Sequence, residues 1–409
     1  MPTGLKNEAA IVGIGETKYT KNSGVSDLHL ATEAVSKAIA DCGVDPRDVD
    51  GIVTYEMDMS DGIEVARAVG LGDLTFESRM PYGGGACIGT ILHATMALAT
   101  GAAKYVVCYR ALNGRSGHRY SMGVSGQMIT SDTIHYGWYM PSGLVTPASW
   151  VAMFARRYMY ETGTTSEALG EVAVQTRSHA VNNPAAFFYQ RPLTMQEHQA
   201  ARMIVDPLRL YDCCQETDGG AAVVLTTPER AKDLKQTPAV VRGIAHASAD
   251  DQEQMTSFYR ESVARMPEVE LVAKQLWEKS GMRPDDIDCA ILYDAFTVIV
   301  LQQLEAYGFC KEGEGGGYVS SGIIELGGKR PNNTHGGHLC EGYTHGISHV
   351  IENVRQLRGQ ADDYCPNWAA GEHTYDYSEG GCRQVKDAEI TMNLGWAMPA
   401  TGSALIMHR

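Results

Sequence analysis

The chain has 409 residues, 44% of them hydrophobic, and a formal net charge of −15 at pH 7. A chain of this length can bury one large core or two medium ones, which favours a globular enzyme. The strong negative charge would repel nucleic acid and anionic membrane surfaces, and we expect neither as a partner.

Export and membrane signals are not recognisable in the sequence. The first residues lack a basic patch followed by an apolar run, and no later stretch approaches the roughly 20 apolar residues that a membrane helix needs. The cysteines are scattered without a C-x-x-C pair, which is typical of reduced thiols rather than of a zinc ribbon or a disulfide framework. We therefore predict a cytoplasmic protein.

The first half of the chain opens with a strand followed by a helix. Residues 9–15 (AAIVGIG) are an apolar run typical of a buried strand, and residues 30–42 (LATEAVSKAIADC) show the periodicity of an amphipathic helix. Gly43 at the helix end, a Pro-containing turn and a short apolar strand ending at Tyr55 follow. The pattern predicts an α/β unit.

A glycine-rich segment opens the next predicted helix. Gly83-Gly-Gly-Ala-Cys87 precedes an apolar helical pattern that runs to Gly101. Between Gly101 and Asp218 the chain carries a long insertion that is rich in aromatic residues and Met. Such an insertion forms a lid over a pocket or a dimer interface, and the sequence favours neither.

The second half repeats the first. Segment 281–293 matches segment 43–55, with Gly, Pro, two Asp and the final Tyr at one constant offset. An apolar strand at 239–244 and an amphipathic helix at 271–280 precede the second copy, as their counterparts precede the first. The repeat predicts a duplicated α/β architecture.

The polar segment 226–237 lies between the two copies and is the expected junction. We predict an N-terminal half at residues 1–232 and a C-terminal half at residues 233–409. The insertion, at about 110–205, belongs to the first half.

Five further stretches carry a family resemblance. They are Gly83-Gly-Gly-Ala-Cys87, Asp206-Pro-Leu-Arg209 with Asp212-Cys-Cys214, Asp218-Gly-Gly-Ala-Ala222, Tyr293-Asp-Ala-Phe296, and Gly336-Gly337 followed by Gly342-Tyr-Thr-His345-Gly346. In this order and spacing the chain resembles the thiolase superfamily, particularly the sterol-carrier-protein-type thiolases and lipid-transfer proteins. The resemblance implies an α/β thiolase fold with two βαβαβαββ halves in a layered α-β-α-β-α arrangement.

The acyl-transfer groups of thiolases are missing from their expected positions. The position of the nucleophilic cysteine falls on Gly84, and the two active-site histidine positions are occupied by Tyr293 and Tyr343. The C-terminal acid–base cysteine of the family has no counterpart in residues 392–396. Cys87 could take the place of the nucleophile only if the alignment had a gap inside a helix, which helices rarely accept.

Loss of these groups from a retained scaffold favours different chemistry on the same kind of substrate. Backbone N–H groups and helix ends can still stabilise the enolate of a coenzyme A thioester. Retro-aldol cleavage of a β-hydroxyacyl-CoA also needs a base for the hydroxyl proton and an acid for the α-carbon, and phenols can serve both roles.

The tyrosine-for-histidine pattern resembles that of the steroid side-chain-cleaving aldolases. This resemblance implies cleavage of a 17-hydroxy steroid 20-carboxyl-CoA into a 17-ketosteroid and propionyl-CoA, a step in cholesterol side-chain degradation. It also implies a homodimer that works beside a small zinc-ribbon and OB-fold partner protein. We expect no cofactor other than the coenzyme A of the substrate.

We predict Tyr293 and Tyr343 as the acid–base pair, without assigning either proton to either residue. Asp294 is expected to orient a water or a phenol, or else to cap a helix. His345 is predicted to reach the pocket as a further catalytic group. The predicted oxyanion or substrate-binding side consists of Gly84, Gly85, Cys87 and Gly395.

Four histidines crowd one glycine-rich region, at positions 335, 338, 345 and 349. His345 and His349 have the spacing of a metal-binding pair on a helix face, but hydrogen-bonding roles are favoured and no metal site is predicted. Two other functions stay open. The chain can be a thiolase-like acyl-CoA acyltransferase that uses Cys87, or a non-catalytic protein that binds acyl-CoA or sterol.

Overall fold

The computed structural model describes residues 4–81, 83–117, 119–122, 137–250, 260–362, 375–377, 382–397 and 401–409. Its strands are β1 Ala10–Glu16, β2 Gly51–Tyr55, β3 Phe76–Met80, β4 Val106–Asn113, β5 Met203–Val205, β6 Leu208–Arg209, β7 Asp218–Thr226, β8 Ala239–Ser248, β9 Cys289–Ile291, β10 Ile390–Ala397 and β11 Thr401–His408. Its helices are α1 Asp27–Cys42, α2 Gly62–Val69, α3 Ala86–Thr100, α4 Pro147–Thr162, α5 Ser166–Val181, α6 Met195–Ala200, α7 Pro228–Ala231, α8 Pro267–Ser280, α9 Thr297–Ala306, α10 Gly315–Ser320, α11 Gly337–Cys340 and α12 Ile347–Arg358.

The main sheet is symmetric about the contact between β1 and β8. Its strand order is β3-β2-β4-β7-β1-β8-β11-β10-β9. On each side of the centre an antiparallel neighbour, β7 or β11, is followed by an antiparallel third strand, β4 or β10, and then by a parallel strand, β2 or β9. Beyond β9 a parallel bridge from Ala290 to Asn332 takes the place that β3 has in the first half. This symmetry is the structural form of the sequence repeat.

Two helices lie between the halves. Helix α3 packs on β2, β3 and β4 and also on β8, β10 and β11 of the other half. Helix α12 packs on β9 and β10 and also on β1 and β7. With α1 on the far side of the first half and α8 on the far side of the second, the chain has the α-β-α-β-α layers of the thiolase fold. The opening of α3 therefore lies where both halves meet.

The repeated helices end as their sequence predicts but begin earlier. Gly43 and Gly281 cap α1 and α8 with φ of 76° and 70°, a left-handed conformation that suits glycine. Helix α1 begins at Asp27 because the side chain of Ser26 accepts a hydrogen bond from the His29 N–H, and α8 begins with Pro267 in its first turn. The apolar periodicity alone does not report these polar first turns.

The long insertion of the first half contributes helices rather than a loop alone. Helices α4 to α6 and the short β5–β6 hairpin come from it, and α5 packs against α9, α10 and α11 of the second half. Residues 123–136, most of the Met- and aromatic-rich stretch for which a lid and a dimer interface were the two alternatives, lie outside the described residues. Among those that are described, no helix combines the length and apolar character needed to cross a bilayer.

Candidate active site

The opening of α3 presents backbone N–H groups that no side chain caps. Gly83, Gly84 and Gly85 lead into the helix, and no side chain caps it. The N–H of Ala86 donates to the Gly83 carbonyl over 2.9 Å, while the N–H groups of a helix's first turn generally have no partner within the helix. Such a helix end carries partial positive charge and suits a developing oxyanion.

Gly84 and Tyr293 occupy the same corner of the site. A Cβ atom on Gly84 would lie 2.1 Å from Cε2 and 2.2 Å from Cζ of the Tyr293 ring, and 2.4 Å from the Trp396 carbonyl oxygen. Such separations are far below van der Waals contact, so no side chain fits at position 84 while the phenol stands where it does. The Tyr293 ring and the Trp396 carbonyl together therefore exclude a nucleophilic side chain from position 84.

The two predicted tyrosines converge. The hydroxyl oxygens of Tyr293 and Tyr343 lie 2.7 Å apart, a hydrogen bond in which either can donate. The Tyr293 backbone is held at both ends by the Gln303 side-chain amide, which accepts from its N–H at 3.2 Å and donates to its carbonyl at 2.6 Å. The Tyr343 N–H donates to Thr217 Oγ1 over 2.8 Å. The backbone at both positions is thus fixed by side-chain hydrogen bonds.

The environment keeps both phenols protonated. Tyr293 is 4% exposed, and Tyr343 is half-buried. Burial raises the pKa of Tyr293 well above its ordinary value, although the hydrogen bond from Tyr343 opposes the shift. Burial also raises the pKa of Tyr343, and the neighbouring Tyr293 adds to that shift. The pair is therefore neutral near pH 7, and its roles in proton transfer stay predictions.

Asp294 holds backbone rather than a phenol. Its carboxylate accepts from the N–H groups of His338, at 2.8 Å, and Leu339, at 3.3 Å, and so caps the first turn of α11. A Cβ on Gly337 would lie 2.0 Å from the same carboxylate. Burial acts to raise the pKa of Asp294, but the His349 ring and the backbone donors outweigh it and lower the pKa. Of the two sequence alternatives, the structure therefore shows the capping one.

A group of buried histidines lies behind Tyr293. The rings of His338 and His349 stack at a centroid distance of 3.9 Å and an angle of 23°, and His335 meets His349 edge-on at 5.0 Å. The Nδ1–H of His338 donates to the Gly342 carbonyl over 3.0 Å. Burial lowers the pKa of His338 to about 3. His338 is therefore neutral near pH 7, and the three rings pack together beside the tyrosine pair.

The ligating atoms of Asp294, His338 and His349 lie within 4.8 Å of one another and could in principle hold a metal ion. Stacked imidazoles, however, direct their in-plane lone pairs side by side rather than toward one point. Both oxygens of Asp294 already accept backbone N–H groups. The arrangement therefore fits a packed capping cluster better than a tetrahedral site.

The spacing of His345 and His349 does not place them on one helix. Helix α12 begins at Ile347 after Gly346, whose φ is 106°, so His345 lies outside it with a φ of 53°. The His345 ring lies 4.7 Å from the Tyr343 ring, and its Nδ1 accepts from Arg110 Nε at 3.1 Å. His345 thus reaches the tyrosine pair, but from a strained turn.

The remaining predicted residues, Gly85, Gly395 and Cys87, differ in their position relative to the opening of α3. Gly85 is the N-cap of α3, and Gly395 packs against the Gly84 carbonyl, 2.6 Å from where its Cβ would be. Cys87 is the second residue of the helix but is only 1% exposed, and a Cβ on Gly346 would lie 3.1 Å from its sulfur. Burial raises the pKa of the Cys87 thiol to about 12. This environment does not suit a nucleophile, and it does not present the thiol to a substrate.

An ion pair beneath the site was not foreseen. Arg110 on β4 and Asp58 after β2 pair at 1% and 0% side-chain exposure, and Arg110 in turn bonds His345. An arginine inside the otherwise apolar strand VVCYRALN was the available signal, because a charge rarely lies in such a strand without a partner. Tyr120, whose ring lies 5.6 Å from that of His345, was also missed.

Comparison with known proteins covers both halves. Residues 8–229 match the family profile described as Thiolase, N-terminal domain, and residues 249–382 match that described as Thiolase C-terminal domain-like. The chain is 54% identical to the steroid side-chain-cleaving aldolase of Thermomonospora curvata over 357 residues, 87% of this chain and 91% of that protein. Gly84, Tyr293 and Tyr343 all lie within the residues that match the two profiles.

Two further relatives are similar over most of their length. The 17-hydroxy-3-oxo-4-pregnene-20-carboxyl-CoA lyase of Mycobacterium tuberculosis is 51% identical over 357 residues, 87% of this chain and 92% of that protein. Among solved structures, a chain of the Ltp2-ChsH2(DUF35) aldolase has a TM-score of 0.90 at 48% identity, over 99% of this chain and 98% of that chain.

Proposed function

This chain belongs to the thiolase family, and we propose that it is a carbon–carbon lyase that cleaves a β-hydroxyacyl-CoA thioester by a retro-aldol reaction. Its substrate is a 17-hydroxy steroid 20-carboxyl-CoA, and its products are a 17-ketosteroid and propionyl-CoA. The proposal agrees with the names of the two relatives that are 54% and 51% identical to it.

The observation that carries the proposal is the hydrogen bond of 2.7 Å between the phenols of Tyr293 and Tyr343 beside the opening of α3. Acyl transfer needs a thiolate there, but position 84 has no room for a side chain and Cys87 is enclosed. Retro-aldol cleavage needs no covalent intermediate on the protein. It needs a path for one proton and a site for an enolate.

The two phenols can carry that proton without ionising. The substrate hydroxyl gives its proton to one phenol oxygen as the bond between the carbinol carbon and the α-carbon breaks. The bonding electron pair moves onto the α-carbon and the thioester as an enolate, and the carbinol carbon becomes a ketone. The first phenol passes its own proton along the hydrogen bond to the second, and the second protonates the α-carbon.

This relay returns both tyrosines to their starting state. One proton leaves an oxygen of the substrate and one reaches a carbon of the product, so no proton is drawn from solvent. Since burial raises the pKa of both phenols, a concerted relay between neutral groups suits the site better than a standing phenolate. Which tyrosine faces the hydroxyl depends on the pose of the substrate.

We also propose an assembly of a homodimer with a small partner that contains a zinc ribbon and an OB-fold. The similar solved structure bears the name of two components, Ltp2 and ChsH2(DUF35). Strand β3 lies at the edge of the main sheet with Glu77 and Arg79 exposed, and an unpaired edge is a surface on which a second copy can pair.

The test is turnover of a defined substrate. The purified protein, with its small partner, should convert 17-hydroxy-3-oxo-4-pregnene-20-carboxyl-CoA into propionyl-CoA and the 17-ketosteroid, both measured by liquid chromatography and mass spectrometry. The double variant Tyr293→Phe/Tyr343→Phe, which keeps both rings, should bind the thioester but release no product. Substrate left intact by the wild-type complex under all conditions would reject the proposal.

The same experiment separates the alternatives. An acyl-enzyme trapped on Cys87 would indicate acyl transfer. Tight binding of the thioester without any product, with or without the partner, would indicate a binding protein.

A further inference from the structure

His345 has an unusual position for a histidine. Its φ of 53° lies in the left-handed region that few residues other than glycine and asparagine adopt, and Gly346 follows with a φ of 106°. The backbone is held there by Tyr55, whose hydroxyl donates to the His345 carbonyl over 3.3 Å. Strain of this kind persists only where the surroundings impose it, and it is common at functional sites.

The tautomer of His345 is set by Arg110. The Nε–H of Arg110 donates to His345 Nδ1 over 3.1 Å. Because a guanidinium has donors and no acceptor, Nδ1 must offer its lone pair, and the ring proton must sit on Nε2. Arg110 is itself anchored by the buried carboxylate of Asp58. The ion pair therefore acts as a positioning device for the imidazole.

The charge state of His345 follows from the same contacts. Burial and the Arg110 cation hold the pKa of His345 well below its usual range, with His338 adding to the shift. The imidazole is therefore neutral throughout the physiological pH range, and it carries an N–H that it does not readily give up.

The free side of the ring faces the opening of α3. A Cβ on Gly83 would lie 2.7 Å from His345 Cδ2 and 3.1 Å from Nε2, which places this edge of the imidazole against the residue next to Gly84. Nε2 makes no hydrogen bond within the part of the chain that the structure describes. The Tyr343 ring is 4.7 Å away on the other side. A donor is thus aimed between the helix end and the tyrosine pair.

We propose that the Nε2–H of His345, together with the first N–H groups of α3, binds the thioester oxygen of the acyl-CoA substrate and holds the negative charge of the enolate. This inference rests on the proposed function, since it assigns the electrophilic half of the same reaction. A neutral imidazole that donates to a developing oxyanion is used in the same way by triosephosphate isomerase. Loss of one such donor costs about 10²- to 10³-fold in kcat.

The first experiment uses the wild-type protein and needs no variant. Neutron diffraction from crystals grown in deuterated solution should show a deuteron on Nε2 of His345 and none on Nδ1. A deuteron on Nδ1, or on both nitrogens near neutral pH, would overturn the inference.

The second experiment measures the polarisation of a bound carbonyl. Propionyl-CoA labelled with ¹³C at the thioester carbon should show its carbonyl stretch at lower frequency when bound to the wild-type protein than when free. In His345→Asn, which tolerates the left-handed backbone but is too short to reach the oxygen, most of this shift should disappear. An unchanged frequency in the variant would contradict the inference, and His345→Gln, with a longer amide, provides a second test if the shorter variant does not fold.

Kinetics separates this inference from the proposed function. If the wild-type complex cleaves the steroid thioester, His345→Asn should reduce kcat by about 10²- to 10³-fold with both tyrosines intact. A wild-type kcat in a folded variant would remove His345 from the site and leave the aldolase proposal standing. If the wild-type complex cleaves nothing, the aldolase proposal fails, and the diffraction and infrared results still decide what His345 does.

Discussion

The internal repeat places two tyrosines, Tyr55 and Tyr293, at equivalent positions, and the proposed catalytic role falls on only one of them, Tyr293. Tyr55 lies at the end of β2 in the first half, and Tyr293 lies two residues after β9 in the second. Both rings flank the opening of α3. The hydroxyl of Tyr55 is fully buried, donates to the His345 carbonyl over 3.3 Å and lies against the Cys87 thiol. The hydroxyl of Tyr293 meets that of Tyr343 over 2.7 Å.

The difference comes from what lies opposite each ring rather than from the repeated unit itself. Tyr55 faces a turn of α3 that bears Cys87, whereas Tyr293 faces Gly84, where the absence of a side chain leaves room for the ring. Duplication therefore reproduces the backbone of a strand end. The segment contributed by the rest of the molecule decides which group each phenol meets.

Removal of the Tyr293 or the Tyr55 hydroxyl should show the difference between the two tyrosines most clearly. Tyr293→Phe deletes the relay and should lower kcat by about 10²- to 10⁴-fold, the usual contribution of general acid–base catalysis. Tyr55→Phe deletes a buried hydrogen bond to the His345 carbonyl and should lower the free energy of unfolding by about 1 kcal/mol, with a loss of kcat far smaller than that of Tyr293→Phe. Steady-state kinetics and chemical denaturation measure the two effects.

The two variants are matched, because each keeps the ring and its packing. Equal losses of kcat would mean that the halves do not differ in function. A loss confined to Tyr55→Phe would transfer the catalytic role to the first half.

A methyl group at position 84 should test the contact between Gly84 and the Tyr293 ring by creating a steric clash. In Gly84→Ala the new Cβ would overlap the Tyr293 ring, so we expect destabilisation by about 1–3 kcal/mol and, as the phenol shifts, a loss of kcat of about 10²-fold. Thermal unfolding and kinetics report both. In the Tyr293→Ala background, which lacks the ring, Gly84→Ala should cost less stability than in the wild type, although the Trp396 carbonyl, 2.4 Å from the new Cβ, still opposes it.

Gly317 provides the control glycine. A Cβ there meets nothing within 4 Å, and the residue lies inside α10, so Gly317→Ala should raise stability by about 0.5–1 kcal/mol without an effect on kcat. If Gly84→Ala behaved like Gly317→Ala, the proposed exclusion of a side chain by Tyr293 would be wrong.

These residues show which parts of the fold and of the site can be predicted from the sequence. The repeat and the motif positions were sufficient to predict the layered fold and the convergence of Tyr293 with Tyr343, because motif order on a known scaffold carries three-dimensional information. The contact of Gly84 with the Tyr293 ring was not predicted, although both departures from the family pattern were seen. Contacts between distant segments depend on packing that periodicity does not encode.

Two features of the site depend on local structure that the sequence pattern does not show. The spacing of His345 and His349 is that of a pair on one helix face. Helix α12, however, begins at Ile347 after Gly346, whose φ is 106°, so His345 lies in the preceding turn. Asp294 was given an orienting role as one of two options, yet it caps α11 from another segment. The sequence pattern alone shows neither where α12 begins nor which backbone groups Asp294 caps.

Deletion of the Cys87 thiol should have a small effect. Cys87→Ala removes a buried sulfur that contacts Tyr55, so we expect a loss of about 1 kcal/mol in the free energy of unfolding and nearly unchanged kcat. Mass spectrometry of the wild-type protein after incubation with the thioester substrate should detect no acyl group on Cys87. An inactive but folded Cys87→Ala would restore the acyltransferase alternative and return the chemistry to the first half.

The pH dependence should be the smallest effect of all. A mechanism that begins from a phenolate would gain about tenfold in kcat per pH unit below the pKa of that phenol, because the ionised fraction grows at that rate. Burial raises the pKa of both Tyr293 and Tyr343 above the ordinary value of about 10, and the neutral relay uses the protonated pair. We therefore expect kcat to be level between about pH 7 and pH 9, and a log-linear rise across that range would require a phenolate base.

The highest pH at which kcat can be measured on folded protein follows from the same pKa shifts. The folded pair keeps its protons at a pH where unfolded tyrosines, with a pKa of about 10, release theirs. The stabilising contribution of the protonated pair is thus complete below about pH 10 and is lost as the pH rises above it. A decline in activity that begins there and coincides with unfolding reports stability, whereas a decline at lower pH in folded protein would mean that one phenol of the pair ionises and that burial does not keep the relay neutral.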